Sequence, residues 1–222
     1  MTSVAQTAPV RLTRRGALAG FAVGLASSAS PRTASAASVA DASLAGPLGD
    51  VWVGSPQAKV TLVEYAAVTC PHCARFHAET WPALKARWID AGQVRFTLRG
   101  YPLNPLDTAG FMLARADGGR NYYAVTDLLF ERQPAWAFVP KPLDAMRDLM
   151  RQAGFSAERF HSTLSDQGLY DGVRIVHERA TSALGVRSTP TVYVGEQRQE
   201  GTLTADALGE VIARALEGRT GR

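Results

Sequence analysis

The sequence predicts an α/β fold, a central mixed β-sheet with a helical subdomain inserted into it. Three observations predict this. The run "KVTLVEYA", the amphipathic stretch after it and "QVRFTLRGYP" read as strand, helix, strand, the parallel β-α-β unit. The end of the chain, "STPTVYVG", "QRQEG" and "TADALGEVIARALEG", reads as strand, strand, helix. Between the two, residues 104–185 show helical spacing and no strand character. A length of 222 residues suits one domain with a large insertion and is ample for a real core.

The first element, residues 1–36, reads as an export signal. It carries Arg11, Arg14, Arg15 and Arg32 and no acidic residue. A basic start precedes an apolar run at 16–26, too short for a bilayer, which takes about 20 residues. The Arg14-Arg15 pair, the glycine-diluted apolar run and the late Arg32 resemble a twin-arginine signal, with cleavage expected after Ala36. A general secretory signal is the alternative. Either route leads to the periplasm or another extracytoplasmic, oxidising compartment, where a cysteine pair can form a disulfide. These arginines account for the whole formal charge of +4 and leave 20 basic against 20 acidic residues beyond them. The body thus offers no basic stripe for nucleic acid.

Residues 37–47 are small and polar and read as a linker. "DVWVG" is a short first strand. "KVTLVEYA" is β-branched and apolar on both faces, as a buried strand is. A helix is predicted over 71–91, with Pro71 at its start, where a missing N–H costs nothing. Trp81, Leu84 and Trp88 form its apolar face, and Pro82 predicts a kink. Five helical segments follow, separated by Gly, Pro, Asn or Ser, the last stopping at Gly185. Thr204 is the expected N-cap of the final helix.

The only two cysteines, Cys70 and Cys73, stand three apart where a strand gives way to a helix. At a helix start, free N–H groups and the positive dipole end favour a thiolate on Cys70. Cys73, one turn on, is placed to resolve it. The thiolate is the attacking species, and His72 between the sulfurs can add a donor or partial positive charge. Stabilising the thiolate favours the reduced form and so makes the disulfide more oxidising. Two other readings are weaker. Cys70, Cys73 and His77 have a zinc-like spacing, but a structural zinc needs a second knuckle, and His161 and His177 stand singly on predicted helices. A purely structural bridge would close too small a loop to restrain the unfolded chain.

The stretch Cys70-Pro71-His72-Cys73 closing "VTLVEYAAVTC", with Thr189-Pro190 opening "TPTVYV" and a long helical insertion between, resembles the DsbA-like thiol–disulfide oxidoreductases. These belong to the thioredoxin superfamily, and the resemblance covers most of residues 48–217. It implies a thioredoxin-like domain at 48–103 and 186–217, a helical subdomain at 104–185 and a tail at 218–222. It implies Cys70 as the exposed nucleophile, Cys73 as its buried partner, and Pro190 as a cis proline that leaves the Thr189 backbone free for an extended cysteine-containing substrate. Glu64, six residues before Cys70, would be a buried acid moving protons around Cys73. A strand-edge glutamate reaching solvent is the alternative. His77 is read as surface polarity of the helix.

By the same resemblance the protein would be a monomeric oxidase without a cofactor, recharged by a quinone-linked membrane partner. Thr189 leaves the direction of flow open. Strong oxidases of the family carry an apolar residue there, whereas threonine also occurs in isomerase-type and reductase-type relatives. Residues 37–50 are too few for the dimerisation domain of an isomerase. A non-catalytic chaperone or Cu(I)-binding module is the rival of another class.

Overall fold

A computed structural model describes residues 2, 38–39, 41–200 and 203–218. The export signal apart from residue 2, its cleavage point and nearly all of the 218–222 tail lie outside the described residues. The sheet has five strands, β1 (Trp52–Val53), β2 (Val60–Ala66), β3 (Val94–Gly100), β4 (Thr191–Val194) and β5 (Gln197–Gln199), in the order β1-β3-β2-β4-β5. β2 and β3 pair in parallel from Val60 opposite Val94 to Ala66 opposite Gly100, and the other pairings are antiparallel. The mixed sheet predicted from the strand order is therefore present, with β2 at its centre.

β2 separates two cores by the alternation of its side chains. Leu62 and Ala66 pack with Cys70, Cys73, Phe76, Trp81 and the helical insertion. Val63 and Tyr65 pack on the opposite face with Val39, Tyr101, Val176 and Ala180. A strand covered on both faces has to be apolar at every position, which is why it lacks a polar alternation. Thr61, half-buried near the start, and the fully buried Glu64 break the pattern.

The crossover from β2 to β3 is helical from Pro71 to Ile89, but it is not one regular helix. It runs as α1 (Pro71–Arg75), a π-helical turn (Phe76–Thr80), α2 (Trp81–Leu84) and a second π-helical turn (Lys85–Ile89). Pro82 has no N–H to return to the carbonyl four residues back. The ladder widens just before it, and the Trp81 N–H bonds to the Phe76 carbonyl instead. Trp81, Leu84 and Trp88 are buried as their spacing predicts.

The insertion holds α3 (Pro105–Arg115), α4 (Tyr122–Glu131), α5 (Gln133–Trp136), α6 (Pro142–Gln152), α7 (Ala157–Leu164) and α8 (Gln167–Leu184). α5 is additional to the five predicted segments. A single turn is too short to show a period. It places Trp136 in the core, with its ring N–H on the Leu129 carbonyl at 2.8 Å, and leaves Phe138 exposed. α8 ends on Gly185 at φ +64°, and α9 (Ala205–Leu216) begins with the Thr204 hydroxyl capping the Ala207 N–H, both as predicted.

The segment read as a linker is packed against the sheet. Val39, Leu44 and Ala45 are buried, and residues Ala42–Ala45 form a 3₁₀ turn. Its anchor is Arg99 of β3, 1 % exposed, which donates to both carboxylate oxygens of Asp50 at 2.8 and 2.7 Å. Arg99 also donates to the Val39 carbonyl and to the Tyr65 hydroxyl, each at 2.9 Å. Composition hid this because one of the anchored groups is a backbone carbonyl, which any residue supplies.

Removing one partner of a buried ion pair strands the other, at a cost of about 3–5 kcal/mol. Arg99→Ala is expected to lose about that much stability in urea unfolding of the reduced protein. Arg174→Ala, whose partners Asp171 and Glu178 lie on the exposed face of α8, is expected to leave the midpoint in place.

Candidate active site

β2 ends at Ala66, and the chain turns through residues 67–69 to reach Cys70, the N-cap of α1, in extended conformation at φ −78° and ψ 118°. Pro71 follows at the first helical position. The Cys70 N–H bonds to the Ala67 carbonyl and the Cys70 carbonyl accepts from Ala74, both at 3.1 Å.

Three side chains of the insertion pin this turn. Asp107, fully buried near the start of α3, accepts from the Thr69 N–H at 2.7 Å through one oxygen. Its other oxygen accepts from the Leu103 and Asn104 N–H groups. Asn104 caps α3 and donates to the Thr69 hydroxyl at 2.8 Å. From α5, the Gln133 amide donates to the Val68 carbonyl at 2.7 Å and the Cys70 carbonyl at 3.1 Å. Sequence reasoning passed over all three. For Asn104 and Asp107 a signal existed, since "NPLD" matches a capping box with proline at the first helical position. Gln133 has no local signal, because its partners lie more than sixty residues away.

Both cysteines are free thiols. Cys70, expected to be exposed, is 8 % exposed because the loop before β4 covers it, and its thiol donates to the Thr189 carbonyl at 3.4 Å. Its pKa is lowered to about 5. The main cause is a hydrogen bond from the Cys73 thiol; the Thr189 side chain and the N–H groups of Cys73 and His72 add to it against the opposing effect of burial. The Thr189 hydroxyl is buried with no partner in full hydrogen-bond geometry, so its pull on the sulfur is the longer and weaker kind. The His72 ring is exposed, and this residue acts on the sulfur through its backbone. Cys73 is the reverse case. Burial pushes its thiol well above the usual range, and the hydrogen bond to Cys70 and the charge of Glu64 push the same way. The Thr189–Pro190 bond is cis, as the resemblance implied.

Glu64 sits on the central strand with no exposed surface, so the strand-edge alternative falls. The reading of His77 as surface polarity is corrected as well. His77 is buried, with Nε2 2.9 Å from Glu64 Oε2 and its ring stacked on Phe130 of α4 at 4.2 Å. The spacing holds the reason, since His77 follows Cys73 by four residues and shares its helix face. Among the described residues no group of three or more His, Cys, Asp or Glu is placed to hold a metal ion.

Two grooves flank the cysteines. One, of about 640 Å³, runs between α1 and α4 and is lined by Pro71, Ala74, His77, Asp127, Phe130 and Gln133 among others. The other, of about 550 Å³, is lined by His72, Phe76, Thr80, Ser188, Thr189 and Pro190 among others.

A family model described as Thioredoxin matches residues 48–214. A Rickettsia typhi protein provisionally named a protein-disulfide oxidoreductase is 27 % identical over 172 residues, 77 % of this chain and 63 % of that one. The chain thus spans less than two thirds of that relative. Among solved structures, alpha-DsbA1 of Wolbachia pipientis superposes with a TM-score of 0.70 at 21 % identity, over 77 % of this chain and 92 % of that one. Oxidised BdbD of Bacillus subtilis superposes with a TM-score of 0.68 at 21 % identity, over 78 % and 94 %.

Alkylation of the reduced, folded protein is expected to label Cys70 with half-maximal rate near pH 5 and to spare Cys73 until the chain is unfolded. Mass analysis of the labelled peptides checks both. The folded-state pKa of Cys70 is depressed from 9.0, so its contribution to the stability of the reduced fold grows from about pH 5 upward and is absent below. Urea midpoints of the reduced protein, measured across that window, are expected to fall on that side.

Proposed function

Since the chain belongs to the thioredoxin family over residues 48–214 and shares its fold with DsbA proteins, we propose that it is an exported disulfide oxidase, donating the Cys70–Cys73 disulfide to newly exported proteins. One observation carries the reading, the opposed environments of two sulfurs one helical turn apart. A substrate thiolate attacks Cys70 Sγ and the Cys70–Cys73 bond breaks. Its electron pair leaves on Cys73, which takes up a proton. A second substrate thiolate then attacks the substrate sulfur of the mixed disulfide and expels Cys70 as a thiolate, a good leaving group because its pKa is low. The substrate has lost two electrons and the enzyme has gained them. The stable thiolate favours the reduced enzyme and so drives the transfer outward.

The groove along Ser188, Thr189 and Pro190 takes an extended cysteine-containing segment. A membrane partner, quinone-linked as the family resemblance implies, returns the enzyme to the disulfide form. The protein works as an extracytoplasmic monomer, exported through the signal at residues 1–36. In this scheme Cys70 and Cys73 exchange the bond, Pro71 and His72 shape the helix start, Thr189 and Pro190 border the substrate, and Glu64 serves Cys73. The Thr189 hydroxyl beside the sulfur favours a second reading, a reductase or isomerase kept reduced by a membrane donor.

Equilibration with graded glutathione buffers, followed by thiol trapping and mass analysis, tests the direction. The expected potential lies above the glutathione couple at about −220 to −260 mV. A value near that of thioredoxin, about −270 mV, supports the reductase, and a pair that never equilibrates overturns both. Cys73→Ser is expected to trap a mixed disulfide when its Cys70 thiolate attacks a disulfide-bonded peptide and expels one peptide thiolate, because no second thiol resolves the adduct; mass analysis shows an adduct that a reductant removes.

A further inference from the structure

Glu64 and His77 form a buried pair with two loose ends. Glu64 Oε2 meets His77 Nε2 at 2.9 Å, yet Glu64 Oε1 and His77 Nδ1 are both buried without a hydrogen-bond partner. A buried polar atom left unpaired is destabilising, so stability alone is a poor account of the arrangement. The two residues face different places. Leu62, Glu64 and Ala66 alternate onto the face of the sheet where Cys73 packs, and the charge of Glu64 acts on that thiol. His77 Nδ1 lies 3.9 Å from the half-exposed carboxylate of Asp127 and lines the groove between α1 and α4. The charged groups facing this path are Glu64 from β2, Asp127 and Glu131 from α4, and Arg75 and Glu79 beside His77.

We propose that the Glu64–His77 pair is a proton path joining the buried Cys73 sulfur to the groove beside Asp127, with His77 as its relay. The inference rests on the reading of Cys70 and Cys73 as an exchanging pair, in either direction. When the Cys70–Cys73 bond breaks and its electron pair leaves on Cys73, the Glu64 carboxyl gives that sulfur a proton. His77 returns one to Glu64 from Nε2 and takes one at Nδ1 from the groove by way of the half-exposed Asp127 carboxylate. When the bond re-forms at the expense of a partner's disulfide, Cys73 loses its proton along the same route outward. A ring with two nitrogens on opposite edges can accept at one and donate at the other, which an amide in its place cannot.

The test measures the rate at which dithiothreitol reduces the Cys70–Cys73 disulfide of the full chain at pH 7. His77→Gln keeps a donor toward Glu64 but no relay, and His77→Ala opens a space toward the groove. Both are expected to slow reduction about 100-fold, the lower range of general acid–base effects, and added imidazole is expected to restore much of the loss in His77→Ala alone. The alkylation midpoint of Cys70 near pH 5 is expected to stay in place, since His77 does not touch that sulfur. Urea unfolding of both variants separates a slow enzyme from an unfolded one, and His77→Gln carries the test if His77→Ala fails to fold. A His77→Gln rate equal to wild type, or a folded His77→Ala that imidazole leaves slow, overturns the relay. A wild-type disulfide that dithiothreitol cannot reduce in the folded state overturns the exchange reading itself, and the relay with it.

Discussion

Two sulfurs within hydrogen-bond reach cannot both carry charge, and the burial of Cys73 decides which one does. Because its thiol is held protonated, Cys73 becomes the donor that steadies a thiolate on Cys70. The two shifts are one interaction seen from its two ends. The helix start adds backbone N–H groups on the Cys70 side, and the sheet adds the desolvation and the nearby carboxylate on the Cys73 side. A site with both cysteines in water would lack the asymmetry, and with it a preferred leaving group.

Everything around the pair serves that difference in burial. β2 lies at the centre of the sheet and delivers the turn of residues 67–69 into the space beneath the insertion. Asp107 and Gln133 then tie that turn down through its backbone groups. The insertion is therefore part of the active site: α3 and α5 hold the loop, and α4 supplies Phe130 against His77 and Asp127 at the mouth of the groove. Arg99 does similar work on the opposite face, binding Asp50, Tyr65 and the Val39 carbonyl into one buried network.

Most of the fold was legible in the sequence. Each strand, the caps at Thr204 and Gly185 and the buried face of Trp81, Leu84 and Trp88 follow from local pattern, because capping and periodicity act within a few residues. The break expected at Pro82 took the form of π-helical turns, in which the ladder shifts by one residue and the Phe76 carbonyl is satisfied by the Trp81 N–H. The one-turn α5 and the packing of Val39 and of residues 44–50 were not legible. Their order comes from partners far along the chain, Leu129 for Trp136 and Arg99 for Val39 and Asp50.

The candidate site divides in the same way. By itself the sequence determined the two cysteines at a helix start, their spacing, the proline after Cys70, the x-Pro before β4 and an acidic residue inside an apolar strand. These are properties of neighbours in the chain, fixed by covalent distance and backbone preference. Only the tertiary structure decided that Cys70 is largely covered, that His77 faces inward onto Glu64, and that Asp107, Asn104 and Gln133 hold the loop. Burial and hydrogen bonding between distant residues depend on which surfaces meet. A histidine four residues past a cysteine reads the same whether a core or water lies beyond it.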